Sequence, residues 1–386
     1  MHHETKIRPV TFGLACYLIL GVFDALSISA VGSFLKIAAF IPIALLLLDL
    51  RELRLRIHAL LGLQLVFWAL ALVSLFYSVS VDRTLSSDLS LTLNLMLVLM
   101  LGVLVPYNSA ELDLLQKAML WACWVQIGFT LLFSDYSAAG RLTLRFGEST
   151  QDQNNNNTFF LYAFSYHCYH FLCGKNRKHI IPVLLIFALV LISGSRGALV
   201  AFTMAFLYHI FVYFSNSKHA LRSMLIVAFL MVLVAFAFEL ILAQMPESVA
   251  VRYSWEYLEA KGTSGRSRVW EYLWNLFTNS SIPRMLFGYG YGTTAIVNEL
   301  NHKVAHNLYL DNLITLGVVG MILQIASQCT VVWIFHKRKK YALLGAYIGM
   351  IGMCMSLSLT ACKPLWNMIL IALAIDCNSS NSESVG

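Results

Sequence analysis

Long apolar stretches alternate with short polar segments along almost the whole chain. Breaking the sequence at its polar, glycine and proline positions gives about twelve apolar stretches. They are roughly 9–24, 30–50, 57–78, 89–105, 114–134, 158–173, 180–193, 198–214, 223–243, 308–335, 341–358 and 364–376. Most approach the ~20 residues that an α-helix needs to cross a bilayer. The pattern predicts an all-α polytopic membrane protein with about twelve transmembrane helices.

Two polar regions interrupt this pattern. Residues 244–307 form the one large loop, between the ninth and tenth predicted helices. Residues 377–386 form a short polar tail, expected in the cytoplasm. We therefore predict a single transmembrane domain over 1–376, and the 244–307 loop is the place with enough polar chain to build a site outside the lipid.

The distribution of lysine and arginine over the short loops predicts the orientation. With the N-terminus in the cytoplasm, the basic clusters at 51–56, 175–178, 218–222 and 337–340 all lie inside. This places both termini in the cytoplasm and the 244–307 loop on the outer, periplasmic face.

Composition agrees with a membrane protein. Hydrophobic residues make up 59% of the chain and charged residues 12%, against about 25% charged in an ordinary soluble domain, which excludes a soluble enzyme. The eight cysteines contain no CxxC pair and none lies in the long loop, so they are interpreted as small apolar helix residues.

Basic residues on the predicted outer face are mostly arginines. These are Arg83, Arg141, Arg145, Arg196, Arg252, Arg266, Arg268 and Arg284, beside Lys261, Lys303 and Lys363. The guanidinium group keeps its charge and binds phosphate oxygens in a bidentate manner. As a set they indicate an anionic ligand at the outer surface, although any single arginine also fits a lipid headgroup contact or an ion pair with a loop glutamate.

Two outer histidines, His302 and His306, stand four residues apart. This spacing puts both on one face of a helix, as in a zinc site, but the glutamate of an HExxH motif is replaced by Lys303. No third outer histidine or cysteine is present, so we expect no metal site. A histidine beside several arginines is better suited to act as a general base.

Three shorter motifs also lie on the outer side, and each has a plain structural alternative. Gly194-Ser195-Arg196-Gly197 is a short turn whose small residues would let an anionic group approach the backbone. Arg141 and Arg145 stand four apart in the 135–157 loop, and Gln151 to Asn157 suits either sugar hydroxyls or a flexible tip.

Within the long loop, Trp270, Leu273, Trp274 and Phe277 recur at helical spacing. The segment 267–278 is therefore predicted to be an amphipathic helix on the membrane surface. The later Gly288-Tyr289-Gly290-Tyr291-Gly292 run has no nucleotide-binding context; its tyrosines fit stacking on sugar rings or a simple turn.

Taken in order, these motifs resemble the O-antigen ligase and polymerase superfamily of bacterial envelope enzymes. The matching features are the Ser-Arg-Gly turn at 195–197, Gly265-Arg266 followed by Trp270, the 286–290 Leu-Phe-Gly-Tyr-Gly run, and His306-Asn307-Leu308-Tyr309-Leu310 before Gly317 and Gly320. The resemblance extends over about residues 135–335.

The resemblance implies transfer of a glycan from an undecaprenyl-diphosphate carrier to a sugar hydroxyl at the periplasmic face of the inner membrane. It implies no metal, no cofactor and no nucleic-acid partner. Carried over by position, His306 would be the base, and Arg196 and Arg266 would stabilise the departing diphosphate. The candidate substrate-binding residues are Arg141, Arg145, Arg268, Asn307, Tyr289 and Tyr291.

The acceptor is left open by these motifs. An O-antigen ligase transfers the polymer to lipid A–core, whereas a polymerase joins lipid-linked repeat units, and both need the same donor site. A polysaccharide flippase or transporter is a third interpretation. It fits less well, because no internal repeat is visible and few charges lie near the bilayer midplane.

The orientation yields a direct prediction. Reporter fusions at Lys175, Lys218 and Lys339 should report a cytoplasmic location, and fusions near Arg145 and Lys261 a periplasmic one. A cytoplasmic signal from the 244–307 loop would contradict the functional interpretation, because the glycan of the donor is presented outside.

Overall fold

The computed structural model describes residues 7–23, 27–28, 32–56, 58–136, 142–146, 149–151, 153–215, 225, 236, 239–240, 242–244, 247–254, 266–300, 302–360 and 362–383. Its α-helices are α1 (Pro9–Leu20), α2 (Phe34–Ala38), α3 (Phe40–Leu46), α4 (Ala59–Ser74), α5 (Val81–Leu97), α6 (Ser109–Phe133), α7 (Gln153–Leu172), α8 (Ile180–Ile192), α9 (Arg196–Ser215), α10 (Glu247–Ala250), α11 (Arg266–Thr278), α12 (Ile282–Phe287), α13 (Thr294–Val297), α14 (Leu308–Lys337), α15 (Tyr341–Cys354) and α16 (Lys363–Glu383). The prediction of a helical membrane protein is confirmed at this level.

Among the residues that the structure describes, four helical stretches are long and apolar enough to cross a bilayer. They are Ala59–Tyr77, Val81–Val103, Arg196–Ser215 and Leu308–Lys337. The predicted span 223–243 falls almost wholly outside the described residues. The number of transmembrane helices and the extent of the 244–307 loop remain predictions.

Close helix packing forms the centre of the molecule, where α15 lies against α7 and α9. Three glycines of α15 make this approach possible: a Cβ atom on Gly345, Gly349 or Gly352 would press on side chains or backbone of those two helices. Small residues bring helix backbones together in this way where lipid provides no hydrophobic drive for association.

At one end of the bundle, buried ion pairs join segments far apart in sequence. The Arg8 guanidinium donates to both carboxylate oxygens of Glu111, from Nε at 2.9 Å and from Nη2 at 2.8 Å. Elsewhere, Arg338 donates to Asp376, whose other oxygen lies 3.1 Å from His58 Nδ1. These contacts join the start of α1 to α6, and the end of α14 to α16 and to the residue before α4.

Some elements differ from the prediction. Residues 30–50 do not form one helix: β1 (Ser27–Ile28) and β2 (Gly32–Ser33) pair antiparallel and are followed by α2, α3 and a 3₁₀ turn. A second sheet, β3 (Ser134–Tyr136), β4 (Leu142–Phe146) and β5 (Ser149–Gln151), follows α6. Single apolar runs carry no signal for such short strands.

Helix ends were also misplaced where polar residues are helical. Helix α5 begins at Val81 and not near residue 89, and it continues as a π-helix over Val98–Val103. Helix α16 runs through Glu383, so helix occupies most of the predicted polar tail. In both cases hydropathy marked the apolar part of a longer helix.

Helix α14 is broken at Gly317, which has φ 67°. The Gly288–Gly292 run docks at this break: Tyr289 N donates to Ile314 O and Gly290 N to Thr315 O, each at 3.0 Å. Gly288 and Gly317 face each other so closely that a Cβ on either would overlap the backbone opposite. The glycine run is therefore a strand-like segment held against a helix break.

Because the two backbones are in contact, a methyl group added at Gly317 should destabilise the folded protein strongly. Gly317→Ala should lower the free energy of unfolding by more than the about 1–2 kcal/mol of a left-handed residue, since the Cβ also meets the Leu286 and Phe287 backbone. The measurement is thermal unfolding of the purified protein in detergent.

Gly62→Ala is the matched control, because Gly62 lies within α4 and a Cβ there meets nothing within 4 Å. Its melting temperature should be unchanged or slightly higher, since alanine is the better helix former. Equal stability of the two variants would contradict the proposed role of the break.

Candidate functional site

The short turn between α8 and α9 is held from several directions. Asn157 Nδ2 donates to Ser193 Oγ at 3.0 Å, and the Ser195 hydroxyl donates to Asn154 Oδ1. Ser195 Oγ in turn accepts from Ala198 N at 3.2 Å, which caps the start of α9. The turn that carries Arg196 is thus a fixed structure.

The asparagine run at 154–157 builds this turn. Asn154, Asn156 and Asn157 are buried in the first turns of α7. The interpretation of the run as a flexible tip is wrong for these residues, because their amides are used inside the protein.

Arg252 is the arginine most firmly tied to the turn. Its side chain is buried, with 4% exposed, and Nε donates to Gly194 O at 3.0 Å. The neighbouring Tyr253 donates its hydroxyl to Leu191 O at 2.8 Å. Burial raises the pKa of Tyr253, against the lowering effect of Arg252 and Arg196, so the phenol remains a donor.

Arg266 reaches the same region from the long loop. It begins α11, and its Nη1 donates to Ser356 O at 2.9 Å. Gly197, next to Arg196, packs on the Ser356 side chain so closely that a Cβ atom would overlap it. One residue of the 355–362 loop therefore joins the positions of the two predicted catalytic arginines.

His306 stands beside α11. Trp270, one turn beyond Arg266, donates its indole N–H to Ala305 O at 2.7 Å. Val269 and Leu273 pack with Ala305 and Ile314 in a small apolar cluster. These contacts bring the segment that carries His306 to the same helix that carries Arg266.

The backbone around His306 is unusual. His302 and His306 have φ of 52° and 50°, the left-handed region that few residues other than glycine adopt. The predicted placement of both on one helix face is wrong, because the segment between them is not helical. Asn307 starts α14, where its Oδ1 accepts from Tyr309 N and Leu310 N.

The two tyrosines of the glycine run are built into the fold. Tyr291 is buried, its N–H donates to Ser74 Oγ at 2.9 Å, and its ring packs edge-on against Phe67. The Tyr289 hydroxyl lies 2.7 Å from Ser280 Oγ, and Arg284 lies over its ring. The Tyr291 ring therefore packs within the fold, whereas Tyr289 is half-buried with Arg284 over its ring.

Three further arginines were predicted to bind the substrate. Arg268 is exposed on α11. Arg145 lies in β4 opposite Thr150, and its side chain lies outside the described residues. Arg141 lies outside the described residues altogether.

Residues 181–325 match the family model described as O-antigen ligase. This segment contains the Gly194 turn, Arg252, α11, the glycine run and His306. The match supports membership of the O-antigen ligase and polymerase superfamily, as the motifs of the sequence indicated. No curated protein matches the chain significantly.

The match also bears on function. Family members are glycosyltransferase-like enzymes, and the matched segment supports an O-antigen ligase or polymerase type of function in general. Within the part of the chain that the structure describes, no group of three or more His, Cys, Asp or Glu residues is arranged to hold a metal ion.

Sequence reasoning did not single out Arg252 or the 355–362 loop. Arg252 appeared only as one of eight outer arginines, and its buried position follows from contacts with residues about sixty positions away. Ser356 acts through its backbone oxygen, which no side-chain pattern reveals.

Arg252 should be more important to the fold than other loop arginines. Arg252→Ala removes a charged donor to a buried carbonyl, which typically costs about 1.5–3 kcal/mol. We expect a clear drop in melting temperature in detergent. Arg268→Ala, at an exposed position of α11, is the control and should melt like the wild type; a similar loss in both would remove the special role of Arg252.

Proposed function

We propose that this protein transfers a glycan from undecaprenyl diphosphate to a sugar hydroxyl of lipid A–core, as an O-antigen ligase of the inner membrane. The observation that carries the proposal is the meeting of three elements. Arg266 donates a hydrogen bond to Ser356 O, and Gly197, which follows Arg196, packs against the Ser356 side chain. On the helix that begins with Arg266, Trp270 donates to the carbonyl of Ala305, which precedes His306.

The arginine side of this arrangement suits the leaving group. As the bond between the anomeric carbon and the phosphate oxygen breaks, the electron pair stays on the diphosphate, whose negative charge increases. Arg196 and Arg266 stabilise this charge, and Arg141, Arg145 and Arg268 are the proposed additional contacts. Preset hydrogen-bond donors of this kind lower the barrier because little reorganisation accompanies the reaction.

The histidine side suits the acceptor. The acceptor oxygen forms the new bond to the anomeric carbon, and its proton passes to His306. Asn307 caps the helix through Oδ1, which leaves its Nδ2 group available to a sugar hydroxyl. We propose that the reaction needs no metal ion and takes place at the periplasmic face.

The left-handed backbone at His306 supports a functional role. Such a conformation costs about 1–3 kcal/mol for a residue other than glycine, and it is kept where surrounding contacts enforce it. Here the contacts are the Trp270 hydrogen bond on one side and the Asn307 cap on the other. They hold the imidazole at the junction between α11 and α14.

The test is replacement of His306 by asparagine, which tolerates a left-handed backbone but is no base. Transfer from purified lipid-linked donor to lipid A–core in nanodiscs should fall about 10²- to 10⁴-fold. His302→Asn is the matched control, since its φ is nearly the same, and it should be much milder.

Three results would overturn parts of this proposal. Equal losses in the two variants, with rescue by zinc, would favour a metal site, as would inhibition of the wild type by a chelator. Normal transfer by the His306→Asn variant would contradict the assignment of His306 as the general base. Transfer to a second lipid-linked repeat unit, and none to lipid A–core, would make the protein a polymerase.

A further inference from the structure

A separate polar cavity of about 240 Å³ lies beside this site. It is lined by side chains from four parts of the chain: Arg83, Ser86, Ser87 and Ser90 from α5, Tyr291 and Gly292 from the glycine run, Asp311 from α14, and Thr360 from the 355–362 loop, with Leu91 below. Seven of the nine lining residues carry a hydroxyl or a charged group, and apolar side-chain surface lies between these groups. None of its lining residues has a role in the proposed reaction.

The α5 wall is a stripe of polar side chains on one helix face. Residues 83, 86, 87 and 90 follow the i, i+3, i+4, i+7 spacing that normally marks an apolar face. Ser86, Ser90 and Arg83 are exposed, and Arg83 forms no hydrogen bond or ion pair to any residue that the structure describes. These groups are available to a ligand.

The α14 wall contains a buried carboxylate with a free oxygen. Asp311 is 7% exposed, and its Oδ1 has no hydrogen-bond partner among the described residues. Thr294, Ser358 and the backbone of Ala305 lie beside this carboxylate. An unpaired buried acceptor that lines a polar cavity is costly without a ligand, and it is satisfied by a hydroxyl donor.

The cavity is connected to the proposed catalytic site by two short paths. Ala305 borders Asp311, and the next residue is His306. The 355–362 loop runs from Ser356, which binds Arg266, to Thr360 in the cavity wall. The cavity wall and the proposed catalytic site therefore share two segments of the chain.

The charges of the cavity argue against a phosphate. Arg83 is opposed by Asp311, and a second buried carboxylate, Asp88, lies near Tyr291 with both oxygens unpartnered in the described part of the chain. The volume is below the about 300–1,000 Å³ of sites for drug-sized ligands. The serine and threonine hydroxyl groups can both donate and accept hydrogen bonds, Arg83 is a charged donor, and Asp311 is a charged acceptor. This combination fits a neutral ring that carries several hydroxyl groups.

We propose that this cavity binds one neutral sugar residue of a glycan substrate and that Asp311 Oδ1 accepts a hydrogen bond from one of its hydroxyl groups. The proposal rests on the proposed glycan transfer. Its two possible sources are the acceptor oligosaccharide and the distal part of the donor glycan, which share the same chemistry.

The experiment measures binding without catalysis. The full-length protein in nanodiscs is titrated with two delipidated probes, the lipid A–core oligosaccharide and the repeat-unit oligosaccharide cut from its diphosphate carrier. A ligand that binds the folded state raises the melting temperature, and the stabilisation grows with the logarithm of the ratio of ligand concentration to Kd. We expect one of the two probes to raise the melting temperature. Stabilisation by the lipid A–core oligosaccharide would assign the cavity to the acceptor, and stabilisation by the repeat-unit oligosaccharide would assign it to the donor glycan.

Variants of the cavity then locate the binding site. Ser86→Leu and Ser90→Leu fill the cavity from exposed positions, and Asp311→Asn removes the charged acceptor while it keeps the shape. Each should weaken binding of that probe by about tenfold or more. Leu85→Ala, at an exposed position of α5 outside the cavity lining, is the control and should bind like the wild type.

Two outcomes would overturn the cavity assignment: neither probe stabilises the wild type, or the serine and aspartate variants bind as the wild type does. The KM of the matching substrate should rise in those variants while kcat changes little. If the wild type transfers glycan normally but the cavity variants alter neither probe binding nor KM, the cavity assignment is wrong while the proposed function stands. If the cavity binds the sugar but His306→Asn transfers normally, the base assignment fails alone.

Discussion

The contact between Gly288 and Gly317 is the constraint on which the functional end of the molecule depends. Two backbones meet there without side chains between them, and the glycine run takes up the carbonyl groups that the break in α14 leaves free. Further along the run, Gly290 and Gly292 press on Ser78 and Ser87. The Gly288–Gly292 run thus packs against α14 at one end and against Ser78 and α5 at the other, so it fixes these elements relative to each other.

The outer arginines divide into two kinds, although they looked alike in the sequence. Arg252 and Arg284 donate to backbone carbonyl groups and hold turns in place. Arg266 also donates to a carbonyl, but it lies at the junction with the Arg196 turn. The excess of arginine over lysine therefore serves the structure of the loops, through the fork geometry of the guanidinium group, as well as the proposed anionic site.

Elements with a periodic sequence pattern could be predicted from the sequence, whereas contacts between distant segments could not. The segment 267–278 forms α11 at Arg266–Thr278 because aromatic side chains recur at helical spacing. The buried asparagines, Arg252 and Ser356 act through hydrogen bonds between distant segments. No local pattern reports such pairings, so this part of the site could be found only from the three-dimensional arrangement. The cavity beside Asp311 belongs to the same class, since four separate segments form it.

The break in α14 also has a consequence for depth in the bilayer. The helix has 30 residues, about 45 Å at 1.5 Å per residue, whereas the hydrocarbon layer is about 30 Å thick. The part after Gly317 has 20 residues (337 − 317) and so matches that thickness. Residues 308–316 are then free to run at another angle in the headgroup region. With residues 318–337 as the membrane span, Gly317 lies at the edge of the hydrocarbon layer. His306 then lies among the headgroups, the level at which the proposed lipid-linked donor would meet a hydrated acceptor.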